Sequence, residues 1–232
     1  MFNREFKRIR YFNFVREFEK AIVKISHSDI VAKHEFKKED IYLSMIDFHI
    51  SALKEEISYE YRFKPFYLNL NVKFRKDSYI NFFPSSYIKD RKRIVLDKAE
   101  NKIVKKEINN FTIVKPYRFD RLLEKTVNVY TGSYKDDVKD IQGVYYKELD
   151  LVLIENKRHI ATALINKNIP LEVNLREISL EESFDYIECD GAYYRDINFW
   201  NVKEEIDDYR FGILYYLAKE KYRLKKETPW IR

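Results

Sequence analysis

Between residues 4 and 26, Phe6, Ile9, Phe14, Phe18, Ile22 and Ile25 recur at three- to five-residue intervals, with Arg8, Arg16, Lys20 and Lys24 between them. That spacing predicts a helix with one face packed and the other in water. After the capping residues of "SHSD", a second helix is predicted from Lys38 to Tyr59, burying Ile41, Met45, Phe48 and Leu53. The period then drops to that of a strand. In "FYLNLNVKF", Leu68, Leu70, Val72 and Phe74 alternate with Asn69, Asn71 and Lys73, so one side is apolar. From Arg75 to Lys106 neither period is sustained, and "KDRKRIVLDKAENKIVKK" reads as a charged helix or a mobile insertion.

The second half of the chain is more regular. Phe111 to Val114 reads as a strand, Pro116 breaks it, and Tyr117 to Glu124 reads as a short helix. Strands follow at Val144 to Tyr146 and Leu151 to Ile154, then a helix from Arg158 to Ile165 and a strand in "IPLEVNL". "LEESFD" supplies a short helix, and Tyr186 to Cys189 and Ala192 to Tyr194 form a hairpin across Asp190-Gly191, for which a type I′ turn is expected. A helix from Val202 to Leu224 closes the chain, with Ile206, Tyr209, Ile213, Leu214 and Leu217 as its apolar stripe and basic residues in its last turns. Helices and strands mix in α/β order, so the fold class is α+β (mixed α/β).

Composition narrows the class. A chain of 232 residues with 45% hydrophobic residues, 19 Tyr and 17 Phe is folded rather than disordered. Cys189 stands alone, which excludes an internal disulfide and points to a reducing, cytoplasmic setting. His27, His34 and His49 are not at ligand spacing with one another. The N-terminal stretch interrupts every apolar run with charge, unlike a secretory signal, and no run approaches the roughly 18 apolar residues of a membrane span. No membrane partner is expected.

Charge is unevenly spread. Residues 62–106 hold thirteen Lys/Arg against four Asp/Glu, a local balance of +9 in a chain of net +6, leaving −3 elsewhere. Such a patch attracts phosphates. Its densest point, Arg91, Lys92 and Arg93, is a nucleic-acid-binding candidate, with Tyr79, Phe82, Phe83 and Tyr87 nearby as stacking partners or core residues.

The most distinctive stretch is "LVLIENKRHIATALINKNIPLEV", residues 151–173. An apolar strand runs into a polar knot of Glu155, Asn156, Lys157, Arg158 and His159, then a helix with Ala161 and Ala163, then Ile169-Pro170 and a second strand. A strand-to-helix junction carries polar residues to cap the helix, and Asn156 suits an N-cap. The same junction is also a place where helix amides and the helix dipole favour an anion. Glu188 and Asp190 near Glu155 would add a carboxylate cluster.

The strand, knot and helix resemble the ParB-like and sulfiredoxin-like superfamily, whose loops read D-G-N-H-R, D-G-Q-H-R or G-E-R-R ahead of a small-residue helix and an "IPV"-type strand. Glu155 stands where that family often has Asp, Asn156 replaces its Gly, and Arg158-His159 swap the His-Arg order. The similarity covers about residues 111–175. It implies a ParB-like core that binds a nucleotide or nucleic-acid phosphate. Asn156, Lys157 and Arg158 would bind phosphate, with Arg158 as a planar clamp, and Glu155 and His159 would be the catalytic pair. Glu155 would orient Arg158 or hold Mg²⁺, the cofactor a phosphohydrolase (a nucleotidase or nuclease) would use. Sulfiredoxin chemistry needs a cysteine in the motif, and Cys189 lies elsewhere.

The expected organisation is a helical region over 1–62, a strand with a basic variable segment over 63–110, a ParB-like core over 111–200 and a C-terminal helix over 201–232 packing on that core, the whole forming one compact unit. The alternative function is a non-enzymatic nucleic-acid-binding or adaptor protein, of phage or mobile-element origin, acting through the basic segment.

Overall fold

In a computed structural model that describes residues 2–27, 37–67, 82–96 and 102–227, the first helical pattern becomes helix α1, Phe2–Ser26. Its buried positions are Lys7, Tyr11 and Phe18, flanked by half-buried Phe14, Ile22 and Ile25. Phe6 and Ile9, expected inside, are exposed. At 3.6 residues per turn Ile9 lies roughly 180° around the helix from Phe18, so the stripe passes through Lys7 instead. The charge is accommodated because Lys7 Nζ donates to the Ile206 carbonyl at 2.6 Å.

Helix α2, Lys38–Tyr67, runs past the predicted Tyr59. Ile46, Ile50, Lys54, Ile57 and Tyr61 are its buried stripe, whereas Phe48, expected to be buried, is exposed. Residues 68–74 of the strand predicted in "FYLNLNVKF" lie outside the described residues, as does 97–101.

The segment read as a charged helix or insertion forms strands where it is described. β1, Ser86–Lys89, pairs antiparallel with β2, Lys92–Val95, and β3 follows at Ile103–Ile108. Asp90 (φ 51°) and Arg91 (φ 60°) both have positive φ, the geometry of a type I′ hairpin turn.

Among the described residues there are five α-helices and nine strands in three small sheets, a mixed α+β fold. The contacts divide it into two units, interleaved along the chain rather than consecutive: Met1–Ser51, Ile80–Leu96 and Leu180–Arg232 in one, Ala52–Tyr79 and Asp97–Ser179 in the other.

The first unit holds α1, the β1–β2 hairpin, and a sheet of β7 (Ile187–Cys189), β8 (Tyr193–Asp196) and β9 (Lys203–Glu205). The closing helix, α5, Tyr209–Glu227, starts later than the predicted Val202 because residues 203–205 pair with β8. Arg210 to Ala218 are buried apart from half-buried Tyr216, with Tyr215 set edge-on against Phe184 and Tyr194. The Asp190-Gly191 turn is not type I′: Gly191 alone has positive φ (81°), and Asp190 Oδ1 accepts the amides of Ala192 and Tyr193 at 2.9 and 2.8 Å.

The second unit is built on a four-stranded sheet of order β3-β6-β4-β5, with β4 at Gly143–Tyr146, β5 at Leu151–Ile154 and β6 at Leu171–Ile178. β6 pairs parallel with β4 and antiparallel with β3. Residues 111–114 contribute only a bridge, Ile113 to Leu153, which covers the outer edge of the fully buried β5 before Pro116 ends the pairing. Helices α3, Phe119–Thr131, and α4, Arg158–Asn166, pack together, and Val129, Ile160, Ala161 and Leu164 join Tyr145, Val152 and Leu175 in one core. No helix of the described residues is long and apolar enough to cross a membrane.

Candidate functional site

The polar knot occupies the turn between buried β5 and α4, and each of its residues has a definite partner. Glu155 leaves the strand with its amide on the Gln142 carbonyl at 2.9 Å, and its carboxylate pairs with Arg176 of β6 at 2.8 Å. It therefore orients Arg176, not Arg158.

Asn156 is not the N-cap. Its side-chain oxygen accepts the Gln142 amide at 2.6 Å and its NH₂ donates to the Asp140 carbonyl at 3.0 Å, stitching the preceding loop to the helix start. The N-cap is Lys157, which takes the left-handed conformation (φ 46°, ψ 31°). Its Nζ bonds the Lys139 carbonyl, and no side chain caps α4. The junction thus keeps the two features of an anion site, amides at a helix start and the positive end of the dipole.

Arg158 opens α4 and lies over the Tyr117 ring, its Cζ 4.9 Å from the centroid. On the same ring, His159 sits edge-on at 4.5 Å. His159 is 8% exposed, and its Nε2 accepts the backbone N–H of Arg118 at 3.1 Å. An accepting Nε2 places the proton of the neutral ring on Nδ1. Burial, reinforced by the charges of Arg158, Arg121 and Arg118, pushes its pKa down to about 4. At neutral pH His159 is therefore uncharged, with its N–H on Nδ1.

Arg118 is also the N-cap of α3, again without a side-chain cap. Its guanidinium pairs with Asp120, which holds that carboxyl below the usual carboxylate range. The first turns of two helices, α3 and α4, thus meet around one buried imidazole with three arginines acting on it. Tyr117, Arg118 and Arg121 are the residues sequence reading missed. Their signal was the sequence "PYRFDR", where Pro116 precedes an aromatic and a basic residue at a helix start.

The remaining candidates lie elsewhere. Arg91, Lys92 and Arg93 are exposed on the β1–β2 hairpin of the first unit, and Arg93 Nε donates to Ser86 Oγ at 2.9 Å. Phe82, Phe83 and Tyr87, considered as stacking partners, are buried: both Phe rings pack on Phe211, and Tyr87 stacks on Tyr186 and donates to Glu182. Tyr79 lies outside the described residues.

Glu155 belongs to the second unit, Glu188 and Asp190 to the first. Asp190 is bound by Arg8, Arg195 and two amides. No group of three or more His, Cys, Asp or Glu suited to a metal occurs among the described residues.

Fold and site define a mixed α+β protein whose strand–loop–helix junction gathers arginines and two helix starts around a neutral histidine. Residues 7–228 match DUF6710, a family of unknown function, and the chain belongs to that family. No curated protein and no solved structure matches it.

Proposed function

We propose that the chain binds the phosphate of a nucleotide or nucleic acid at the start of α4, the role its resemblance to ParB-like domains implies. The observation that carries this reading is the convergence at His159: Arg158 and Arg121 act on a ring whose Nδ1 holds an N–H, at a helix start without a side-chain cap. Amides, a guanidinium and an imidazole N–H are all donors, and none competes for the anion.

The reading is one of binding. Mg²⁺ enters only as the companion of a bound nucleotide, and the setting is cytoplasmic. Calorimetry with common nucleotides, with and without Mg²⁺, tests the proposal. Arg158→Ala should weaken binding about ten-fold or more, the loss of one charge-assisted contact. Absence of binding to any common nucleotide, or an unchanged Kd in the variant, overturns it.

A second reading, nucleic-acid binding by the hairpin, is favoured by its tip. Lys89, Arg91, Lys92 and Arg93 stand there against Asp90 alone. Among the described residues no carboxylate forms an ion pair with Lys89, Arg91 or Lys92, so their charge remains available to phosphates.

A further inference from the structure

The first unit displays an apolar loop that its own core does not use. Between β8 and β9, Ile197, Phe199, Trp200 and Val202 are 38%, 42%, 64% and 41% exposed. The loop is held rather than loose. Asp196, 3% exposed, accepts the amides of Asn198 and Phe199 at 3.0 and 3.1 Å. The Val202 amide donates to the Phe199 carbonyl at 2.7 Å, and the Asp196 amide donates to the Val202 carbonyl at 3.1 Å. Backbone bonds thus fix the loop with its rings in water.

The same carboxylate reaches the basic hairpin. Asp196 Oδ2 accepts the amide of Ile88, the residue before Lys89, at 2.9 Å. One buried side chain therefore anchors both an aromatic loop and the strand that leads to the cationic tip at Lys89, Arg91 and Lys92. Further cations lie beside the rings: Arg195 is 5.8 Å from the Trp200 ring, and Arg195 and Lys203 lie 5.0 and 4.9 Å from that of Tyr193.

We infer that this surface binds single-stranded nucleic acid, its bases stacking on Trp200 and Phe199 and its phosphates meeting the hairpin cations. The inference rests on the second reading above and adds the strandedness and the stacking residues. A flat ring accepts any base by its π-face, and neighbouring cations follow the backbone, the combination that strand-binding surfaces use. A duplex keeps its bases stacked inside and offers nothing to Trp200. A bilayer would need a continuous apolar face, whereas the hairpin tip is charged throughout.

The test uses the full chain with Trp230→Phe, which leaves Trp200 as the only indole of the two in the sequence. Titration with a fluorescein-labelled oligothymidylate should quench Trp200 emission and raise the anisotropy of the label. Raising salt from 50 to 200 mM should weaken binding several-fold, and a duplex of equal length should bind at least five-fold more weakly. In the otherwise unchanged chain, Trp200→Ala should cost about five-fold or more in affinity for the single strand, the lower range for loss of one stacked base. Arg91→Ala/Lys92→Ala should reduce the salt slope.

Equal single-strand and duplex binding that is insensitive to Trp200→Ala but lost in Arg91→Ala/Lys92→Ala overturns the inference and leaves the hairpin reading standing. No binding to either nucleic acid overturns both. Co-sedimentation with phosphatidylcholine–phosphatidylserine vesicles without oligonucleotide binding also overturns both, and assigns the loop to a membrane surface.

Discussion

At the scale of single residues, the polar knot separates two roles that one short motif combines. Glu155, Asn156 and Lys157 are tied to Arg176, Gln142, Asp140 and Lys139, so they hold the loop in place. Arg158 and His159 instead belong to the convergence of α3 and α4. His159 gives this division a measurable form. Its pKa falls from the ordinary 6.5 to about 4 on folding, so the unfolded chain binds the extra proton and folding stability declines as pH drops between those values. The contribution is roughly 2 kcal/mol once solvent screening is allowed for. Denaturant titrations at pH 7 and pH 4 should show this loss in the native chain and a smaller one in His159→Gln, whose side chain does not titrate. Equal losses in both would show that the ring is not held neutral.

At the scale of elements, the strand–knot–helix–strand order of residues 151–178 was legible because its periods are clean and its helix is small-residued. The predicted Leu151 to Ile154 strand matches β5 end to end, and α4 differs from its expectation by one residue. The β1–β2 hairpin was not legible. Its strands are four residues each, too short for a period to show, and its turn uses Asp90-Arg91 rather than a glycine. Buried stripes were also partly misread, since apolar identity pointed to Phe6, Ile9 and Phe48 where helical geometry selects Lys7, Tyr11 and Ile50. One element carries a requirement that only packing reveals. A Cβ on Gly143 would lie 2.1 Å from the Leu153 carbonyl oxygen, so β4 and β5 can pair as they do only with glycine there. Gly143→Ala should lower unfolding free energy by about 2 kcal/mol, measured by chemical denaturation, and should disturb the loop that Asn156 anchors.

At the scale of the whole molecule, the chain returns on itself within the first unit. Tyr11 of α1, 5% exposed, lies against Gly191, where a Cβ would come within 2.3 Å of its own Cβ. Arg8 reaches Asp190 and Arg4 reaches Glu205, contacts between residues 182 and 201 positions apart. These ion pairs are partly exposed and contribute little by themselves, whereas the buried ring carries the docking of α1. Tyr11→Ala should therefore cost about 3 kcal/mol, while Arg4→Ala should cost far less. Thermal or denaturant unfolding of the two variants separates these values. Comparable losses would assign the docking to charge.

The residue pattern by itself determined the α+β class, the order of elements from α3 to β6 and the place of the polar strand-to-helix junction, because these depend on local period and turn chemistry. The tertiary structure decided which residues meet there. Arg118, Arg121 and Tyr117 come from a helix start about forty positions before His159, and Arg176 comes from β6, the strand that follows α4 in the chain. It also decided that Phe82, Phe83 and Tyr87 are core while Phe199 and Trp200 face water. Composition cannot distinguish these aromatics, since burial depends on which elements pack against them rather than on the side chains themselves.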